Sequence, residues 1–235
     1  MNLKKSFIFG FISSLFLVLN YIFEGGTNFA NYFSESTGII QFLEVTSYTL
    51  QTVLTQAGGR IIAVLSFLFE IIFVIYVGKA LKGFFLKFFS SFFIIALFAY
   101  LVYNVIAALG TNNFVAEAVP LAESMRKYCQ LAYVFSALFF FWAYIATLLN
   151  GRGTKIVRLA AFFLFVLGYC NQAISILSDF GIAIAAELTA MTDAFGDIFL
   201  AFGFAIFIPI ALMGLIAPDR YSMAAIKDKE RIVVL

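Results

Sequence analysis

The sequence has no histidine among its 235 residues and only two cysteines. Without histidine the chain cannot form a histidine-ligated haem, a histidine-based zinc or copper site, or a histidine-based catalytic triad. Cys129 and Cys170 are too few for a cysteine-ligated cluster within one chain. On neighbouring predicted helices their heights differ by roughly 8 Å, which is beyond the reach of a disulfide. We therefore expect two small buried apolar cysteines, no metal and no cofactor.

Charged residues are also scarce in this sequence. Only 12% of the residues are charged and 63% are apolar, against roughly 25% and 45–50% in soluble domains. This composition argues against a water-soluble fold, and no basic domain is present that could bind nucleic acid. The basic stretch at Arg152 lacks the Walker spacing, and neither a G-x-S-x-G motif nor paired catalytic carboxylates occur. We expect a membrane protein that is not an enzyme.

Long apolar runs are abundant. Two of them, joined by a short basic connector, occupy residues 61–109, and each has the ~20 residues that a helix needs to cross ~30 Å of hydrocarbon. Because these runs are unbroken, unlike the alternating segments of a membrane barrel, the predicted fold class is all-α. We predict a single integral membrane domain, a polytopic bundle of six transmembrane helices at residues 6–23, 61–78, 88–109, 128–149, 159–177 and 198–217.

The first run follows Lys4 and Lys5 and has features of both a membrane anchor and a secretory signal. No small-x-small cleavage site closes it, so the prediction is an uncleaved anchor. The alternative is a cleaved signal, which would leave five spans.

Three further segments place apolar residues among polar ones at helical spacing. They lie at residues 39–57, 112–127 and 180–197, and each leads into a predicted inward-going span. We predict that they are extracytoplasmic amphipathic helices, which lie in the headgroup layer or pack against a partner.

Lysine and arginine are distributed unevenly over the predicted loops. With the N-terminus inside, 12 of the 15 cations fall on the cytoplasmic side, and only Arg60, Arg126 and Lys127 fall outside. Nine of the 13 acids also fall outside. This bias predicts a multi-pass protein of the inner (cytoplasmic) membrane with both termini in the cytoplasm.

Glu70 is the one acid inside a predicted span, where an ionisable side chain is costly and marks a candidate functional site. Asn104, Asn171 and Gln172 are the other intramembrane polar candidates. In a structural interpretation, Glu70 is hydrogen-bonded to one of these amides or to a neighbouring subunit, and the amides bridge helices. In a functional interpretation, the four residues line an ion or solute path.

The sixth span contains a candidate hinge at Gly203, Pro209 and Gly214. These residues predict either a simple kink or a broken helix that exposes backbone groups to a substrate. The 32 phenylalanines have three possible roles: a lipid-facing surface, a contact with neighbouring subunits, or the wall of an apolar cavity.

An offset of 70 residues places the second and third spans on the fourth and fifth, with nine identities over about 34 positions. A parallel duplication would produce this match. Chance similarity between two runs rich in phenylalanine, leucine and isoleucine would produce it as well.

The chain has few residues outside the predicted spans, one acid within them and no recognisable set of catalytic residues. These features are typical of one component of a larger membrane complex. We therefore expect a non-catalytic inner-membrane subunit of a membrane-embedded assembly, whose partners are the lipid bilayer and other membrane subunits or further copies of the chain. In plan, the arrangement resembles the polytopic inner-membrane components of type IV secretion and conjugation systems, a likeness of architecture.

The alternative is a small oligomeric transporter or channel with Glu70 in its path. The two hypotheses differ in where the polar candidates lie. In a transporter, Glu70, Asn104, Asn171 and Gln172 would converge on one cavity inside the bundle, whereas in a subunit they would face neighbouring proteins.

Overall fold

Six α-helices make up most of what the computed structural model describes, which is residues 2–32, 59–111, 118–149 and 155–217. They are α1 (Asn2–Tyr32), α2 (Gly59–Ala80), α3 (Phe84–Thr111), α4 (Ala118–Leu148), α5 (Lys155–Ser178) and α6 (Ala186–Ile216). The predicted amphipathic segment at 39–57 lies outside the described residues.

Judged by the length and composition of their described residues, α1, α3, α4, α5 and α6 are long and apolar enough to cross a membrane. A membrane-spanning helix satisfies all its backbone hydrogen bonds within its own segment, which lipid requires. The chain is therefore a helical, multi-pass membrane protein. A crossing by α2, which has 22 residues, and with it the count of six spans, stays a prediction.

Two of the predicted amphipathic segments are continuous with the spans that follow them. α4 runs unbroken from Ala118 and α6 from Ala186 into the apolar run. The junctions at Lys127 and Asp197 carry no proline, so nothing there removes a backbone donor and ends the helix. Residues 118–127 and 186–197 therefore lengthen their membrane helices instead of forming separate ones.

Contacts between rings fix the directions of neighbouring helices. Phe9, early in α1, stacks on Tyr76, near the end of α2, with ring centroids 5.5 Å apart. Tyr133, in the first half of α4, stacks on Tyr100, in the second half of α3, at 5.2 Å. Both helix pairs are therefore antiparallel. The turn between α2 and α3 is made by Gly83, whose φ of 141° is a conformation that favours glycine.

These directions separate the charges into two ends of the bundle. One end holds the start of α1, the α2–α3 turn, the end of α4 and the start of α5. We call it the basic end, and its described cations are Lys4, Lys5, Lys79, Lys82, Lys87, Lys155 and Arg158. The opposite, acidic end holds Glu123, Asp179, Glu187, Asp193 and Asp197 together with Arg126 and Lys127.

Glycines let α6 approach α1 and α5 closely. A Cβ atom at Gly214 would collide with the Phe7 ring of α1, and one at Gly168 of α5 would lie 2.6 Å from Leu200 Cγ. Such contacts strengthen van der Waals packing, which holds membrane helices together where lipid removes the hydrophobic driving force. Since Phe7 is early in α1 and Gly214 late in α6, the two helices are antiparallel.

α6 continues through all three residues of the candidate hinge. Gly203 faces the Phe165 ring, which would lie 3.3 Å from an added Cβ, and Gly214 faces Phe7. Pro209 lies inside the helix with its side chain exposed. The two glycines thus serve close packing, and a hinge at this position stays a prediction.

Phenylalanine fills the half of the bundle near the basic end. Phe141 stacks on Phe165 with centroids 4.8 Å apart and meets Phe204 edge-on at 5.1 Å. We use the name aromatic layer for the buried rings Phe73, Phe93, Phe140, Phe141, Tyr144, Phe165, Phe204 and Phe207. Another group of phenylalanines, on α3, is exposed: Phe84, Phe85, Phe88, Phe92 and Phe98.

The two cysteines are free and differ in burial. Cys129 is buried, as predicted, whereas Cys170 is exposed and the prediction for it is wrong. Cys170 precedes Asn171 on a helix whose inward face is taken by Gly168 and Tyr169, so its own side chain turns outward.

Candidate functional site

A cavity of about 250 Å³ lies inside the bundle, toward the acidic end. All six helices contribute to its wall, so the cavity is central rather than a groove between two neighbours. Its polar lining residues are Asn20, Tyr21, Ser66, Tyr100, Asn104, Gln130, Tyr133, Gln172, Asp193 and Asp197. A water-filled cavity is one of the few places where polar side chains are tolerated at membrane depth.

Two of the four predicted polar residues line this cavity. Gln172 donates from Nε2 to Asp197 Oδ1 at 2.6 Å, which joins α5 to α6. Asn104 donates from Nδ2 to the carbonyl oxygen of Tyr100 at 2.8 Å, within its own helix. Asn171 lies instead at the contact between α5 and α6, where its Cβ packs against Gly196. The structure therefore gives Gln172 both roles considered for it, bridging helices and lining a cavity.

The charged groups of the cavity wall are both acidic. Asp193 and Asp197 stand one turn apart on α6, and Asp197 is only 6% exposed. No lysine or arginine is among the described residues that line the cavity. Carboxylates four residues apart on a helix repel one another, and a cation between them would relieve that repulsion. The electrostatics of the wall thus favour a positively charged occupant.

Glu70 lies directly behind this wall. It is completely buried, and its Oε2 accepts a hydrogen bond from the Tyr133 hydroxyl at 3.4 Å. The Tyr133 hydroxyl is in turn 3.5 Å from that of Tyr21. Both distances exceed the ~2.7–2.8 Å usual for such bonds, so these oxygens are adjacent without being tightly held. Glu70 Oε1 has no hydrogen-bond partner among the described residues.

The order of residues along α2 places Glu70 between two different environments. Ser66 and Phe67, one turn before it, belong to the cavity, and Phe73, one turn after it, belongs to the aromatic layer. The same change occurs along α4, where Tyr133 lines the cavity and Phe140, two turns later, belongs to the aromatic layer. Glu70 is thus the last carboxylate that the described chain offers on the way from the cavity to the rings.

Eight of the ten polar residues that line the cavity are absent from the sequence-based candidates, and three of them, Tyr133, Asp193 and Asp197, define its chemistry. Tyr133 is the partner of Glu70 in place of an amide, and Asp193 and Asp197 were assigned to an external amphipathic segment. A usable signal was present in the sequence, since Asp193 and Asp197 share a helix face and directly precede an apolar run. Tyr133 gave no such signal, because a tyrosine within an apolar run reads as a core aromatic.

The described residues show no cluster of side chains that could hold a metal ion. Across residues 2–32, 59–111, 118–149 and 155–217, no group of three or more histidine, cysteine or carboxylate side chains comes together. What the geometry offers is a polar chamber with two carboxylates and, behind a tyrosine, a third. Such a chamber can bind a cation, and its carboxylates can bind or release a proton.

Comparison with protein-family models, with curated proteins and with solved structures returned no match.

Proposed function

We propose that this chain is a membrane transport protein for a small cation. The central cavity is its binding site, and Glu70 is the carboxylate that binds a proton or the cation during transport. The observation that carries the proposal is convergence. Asn104, Gln172 and Asp197 meet at one cavity to which all six helices contribute, and Tyr133 links that cavity to Glu70. Side chains that served only to attach neighbouring subunits would face the outside of the bundle.

Energetics support this assignment. Burying an ionised carboxylate in a membrane costs several kcal/mol, and residues of this kind mark ion pathways in pumps and transporters. Amide and hydroxyl groups around the cavity can replace part of the water shell that an entering cation loses. Glu70 Oε1, which lacks a described partner, can then bind a proton or the cation itself.

We further propose that the basic end faces the cytoplasm and that the membrane is the inner membrane. The cations gathered at that end support this orientation under the positive-inside rule. The cavity would then take up its cation from the extracytoplasmic side.

Flux through reconstituted vesicles tests the proposal. Purified protein in proteoliposomes is given an outward or inward gradient of protons, sodium, potassium or methylammonium, and uptake is followed with a dye or an isotope. We expect one of these cations to cross faster than in empty vesicles, and the Glu70→Gln variant to lose at least about tenfold in rate. Glu123→Gln is the control, because Glu123 is an exposed acid at the same end, outside the cavity.

Two outcomes would count against this function. One is wild-type flux no greater than that of empty vesicles for every cation tested. The other is equal flux in wild type and Glu70→Gln, which would leave the carboxylate without a role in transport.

A second candidate is a subunit of a larger membrane assembly, with secretion-type machinery as the example. The observation that favours it is the exposed phenylalanine face of α3, which includes Phe84, Phe88 and Phe92 at successive turns. A neighbouring subunit would cover such a face, as would lipid. The mass of the native particle after gentle extraction decides between the candidates. Other proteins in fixed ratio would indicate a subunit, and a monomer or small homo-oligomer would favour the transporter.

A further inference from the structure

A second cavity, of about 200 Å³, lies on the outside of the bundle between the second half of α4 and the first half of α5. We call it the α4–α5 groove, and it is lined by Trp142, Ile145, Ala146, Arg158, Leu159 and Phe162. Trp142 is 45% exposed and Leu159 56% exposed, so the groove lies on the surface that the bilayer covers. It shares no lining residue with the central cavity.

The groove is polar at one end and apolar along the rest. Arg158 is its one charged lining residue and lies at the basic end, with Lys155 three residues earlier on the same helix. Leu159 and Phe162 follow Arg158 toward the middle of the membrane, and Trp142 lies one turn deeper on α4 than Ala146. A cation at the membrane boundary above an apolar slot matches the chemistry of an amphiphile with an anionic head.

We propose that the α4–α5 groove binds one anionic phospholipid, with the phosphate on Arg158 and an acyl chain against Trp142, Leu159 and Phe162. A guanidinium has five N–H donors in a fork that fits phosphate oxygens, so Arg158 can bind a headgroup while it keeps a contact with the protein. Basic pockets between membrane helices recognise anionic headgroups in this way. A zwitterionic lipid fills the apolar slot equally well, so selectivity must come from the headgroup. This site is independent of cation transport.

The chain contains a built-in reporter for this test. Trp142 is its only tryptophan, and it lines the groove. Full-length protein is reconstituted into phosphatidylcholine bilayers that contain increasing fractions of phosphatidylglycerol with brominated acyl chains, which quench tryptophan on contact. Brominated phosphatidylcholine at the same fractions gives the reference. We expect half-maximal quenching at a mole fraction about fivefold lower for the brominated phosphatidylglycerol.

Variants assign the selectivity to Arg158. We expect Arg158→Gln to abolish the difference between the two lipids, and Arg158→Lys, which keeps the charge but loses the fork, to reduce it. Lys87→Gln removes an exposed cation at the same end, on α3, and should keep the full difference. If Arg158→Gln does not fold, the wild type, Arg158→Lys and Lys87→Gln still decide the matter.

Three results would overturn the proposal. Equal quenching of the wild type by both lipids would mean ordinary bilayer contact without headgroup recognition. An equal loss of selectivity in Arg158→Lys and Lys87→Gln would mean a general attraction of the basic end for anionic surfaces. Recovery of fluorescence on addition of glycerol phosphate, as effective as unbrominated phosphatidylglycerol, would mean a site for free phosphate.

Discussion

The two halves of the bundle differ in the side chains that they place between the helices. Near the basic end, rings such as Phe141 and Phe165 fill the centre with stacked and edge-on contacts. Near the acidic end, the same helices present Tyr21, Tyr133 and Gln172 to a cavity of about 250 Å³. One half is therefore a closed packing unit and the other a polar chamber.

The contrast between the packed half and the polar half shows that buried polar groups are concentrated around the chamber. Glu70 lies at the boundary, with a tyrosine hydroxyl on one side and phenylalanine rings on the other. Among the eight rings of the aromatic layer, only Tyr144 carries a polar atom, its hydroxyl, and the other seven are phenylalanines. The layer would therefore act as the barrier, and the chamber as the site of uptake.

The largest effect is expected where the aromatic layer is opened. Phe141→Ala removes a ring that is 1% exposed and contacts Phe165, Phe204 and Phe207. We expect a loss of about 3–5 kcal/mol in the free energy of unfolding, because a buried cavity replaces the ring. Thermal or denaturant unfolding in detergent micelles measures it. Phe139→Ala is the matched control, because Phe139 is 41% exposed. A similar loss in both variants would mean that the layer is not the packing centre.

A smaller loss is expected where glycine allows two helices to touch. Gly214→Val forces a side chain into the Phe7 ring, and overpacking of this kind costs about 1–3 kcal/mol. The same unfolding measurement applies. Adding Phe7→Ala should recover part of the stability, so that the double variant is less destabilised than the sum of the two single variants. Strict additivity would contradict the contact.

The link between chamber and Glu70 is tested by Tyr133→Phe. This change removes only the hydroxyl that donates to Glu70 at 3.4 Å, and leaves the carboxylate without its described donor. We expect a loss of about 1 kcal/mol in stability, together with slower cation flux in proteoliposomes. Tyr128→Phe serves as the control, because Tyr128 is 62% exposed and outside the cavity. Unchanged cation flux in Tyr133→Phe would mean that the Tyr133 hydroxyl takes no part in transport.

The smallest effect is expected at the surface of the acidic end. Arg126 and Asp179 form an ion pair at 3.0 Å, with side chains that are 52% and 35% exposed. Exposed pairs contribute at most about 1 kcal/mol and are screened by salt. We expect Arg126→Gln to lower stability by no more than that, and the difference from the wild type to shrink in high salt. A salt-independent loss would point to lost packing of the arginine stem.

Apolar run length was enough to predict the fold class and the approximate positions of the helices. An apolar run of ~20 residues enters lipid, and there the backbone must form a helix to satisfy its own hydrogen bonds. This requirement depends on the composition of the run and not on any neighbouring helix. The ends of the helices were less predictable. α4 and α6 begin ten or more residues before the predicted spans at 128 and 198, because helical hydrogen bonding continues into polar sequence outside the hydrocarbon.

Residue partners were hard to predict because helical periodicity gives a face but not the neighbour that it meets. Glu70 was identified from its rarity, yet its contact with Tyr133 depends on how α2 and α4 are rotated. α6 shows a second reason, since the apolar side chain of Leu188 is 43% exposed while the carboxylate Asp197 is buried. In lipid, the apolar side of a helix faces outward and the small or polar side faces its neighbours.

Three helices, α1, α4 and α6, have 31 residues each, or roughly 46 Å at ~1.5 Å per residue. That length exceeds a ~30 Å hydrocarbon layer, and in α4 and α6 the additional turns lie at the acidic end. Asp193 belongs to one of these additional turns. With the predicted span 198–217 in the hydrocarbon layer, the end of the chamber that holds Asp193 would lie at the height of the lipid headgroups. A hydrated solute would then reach Asp193 without first crossing hydrocarbon.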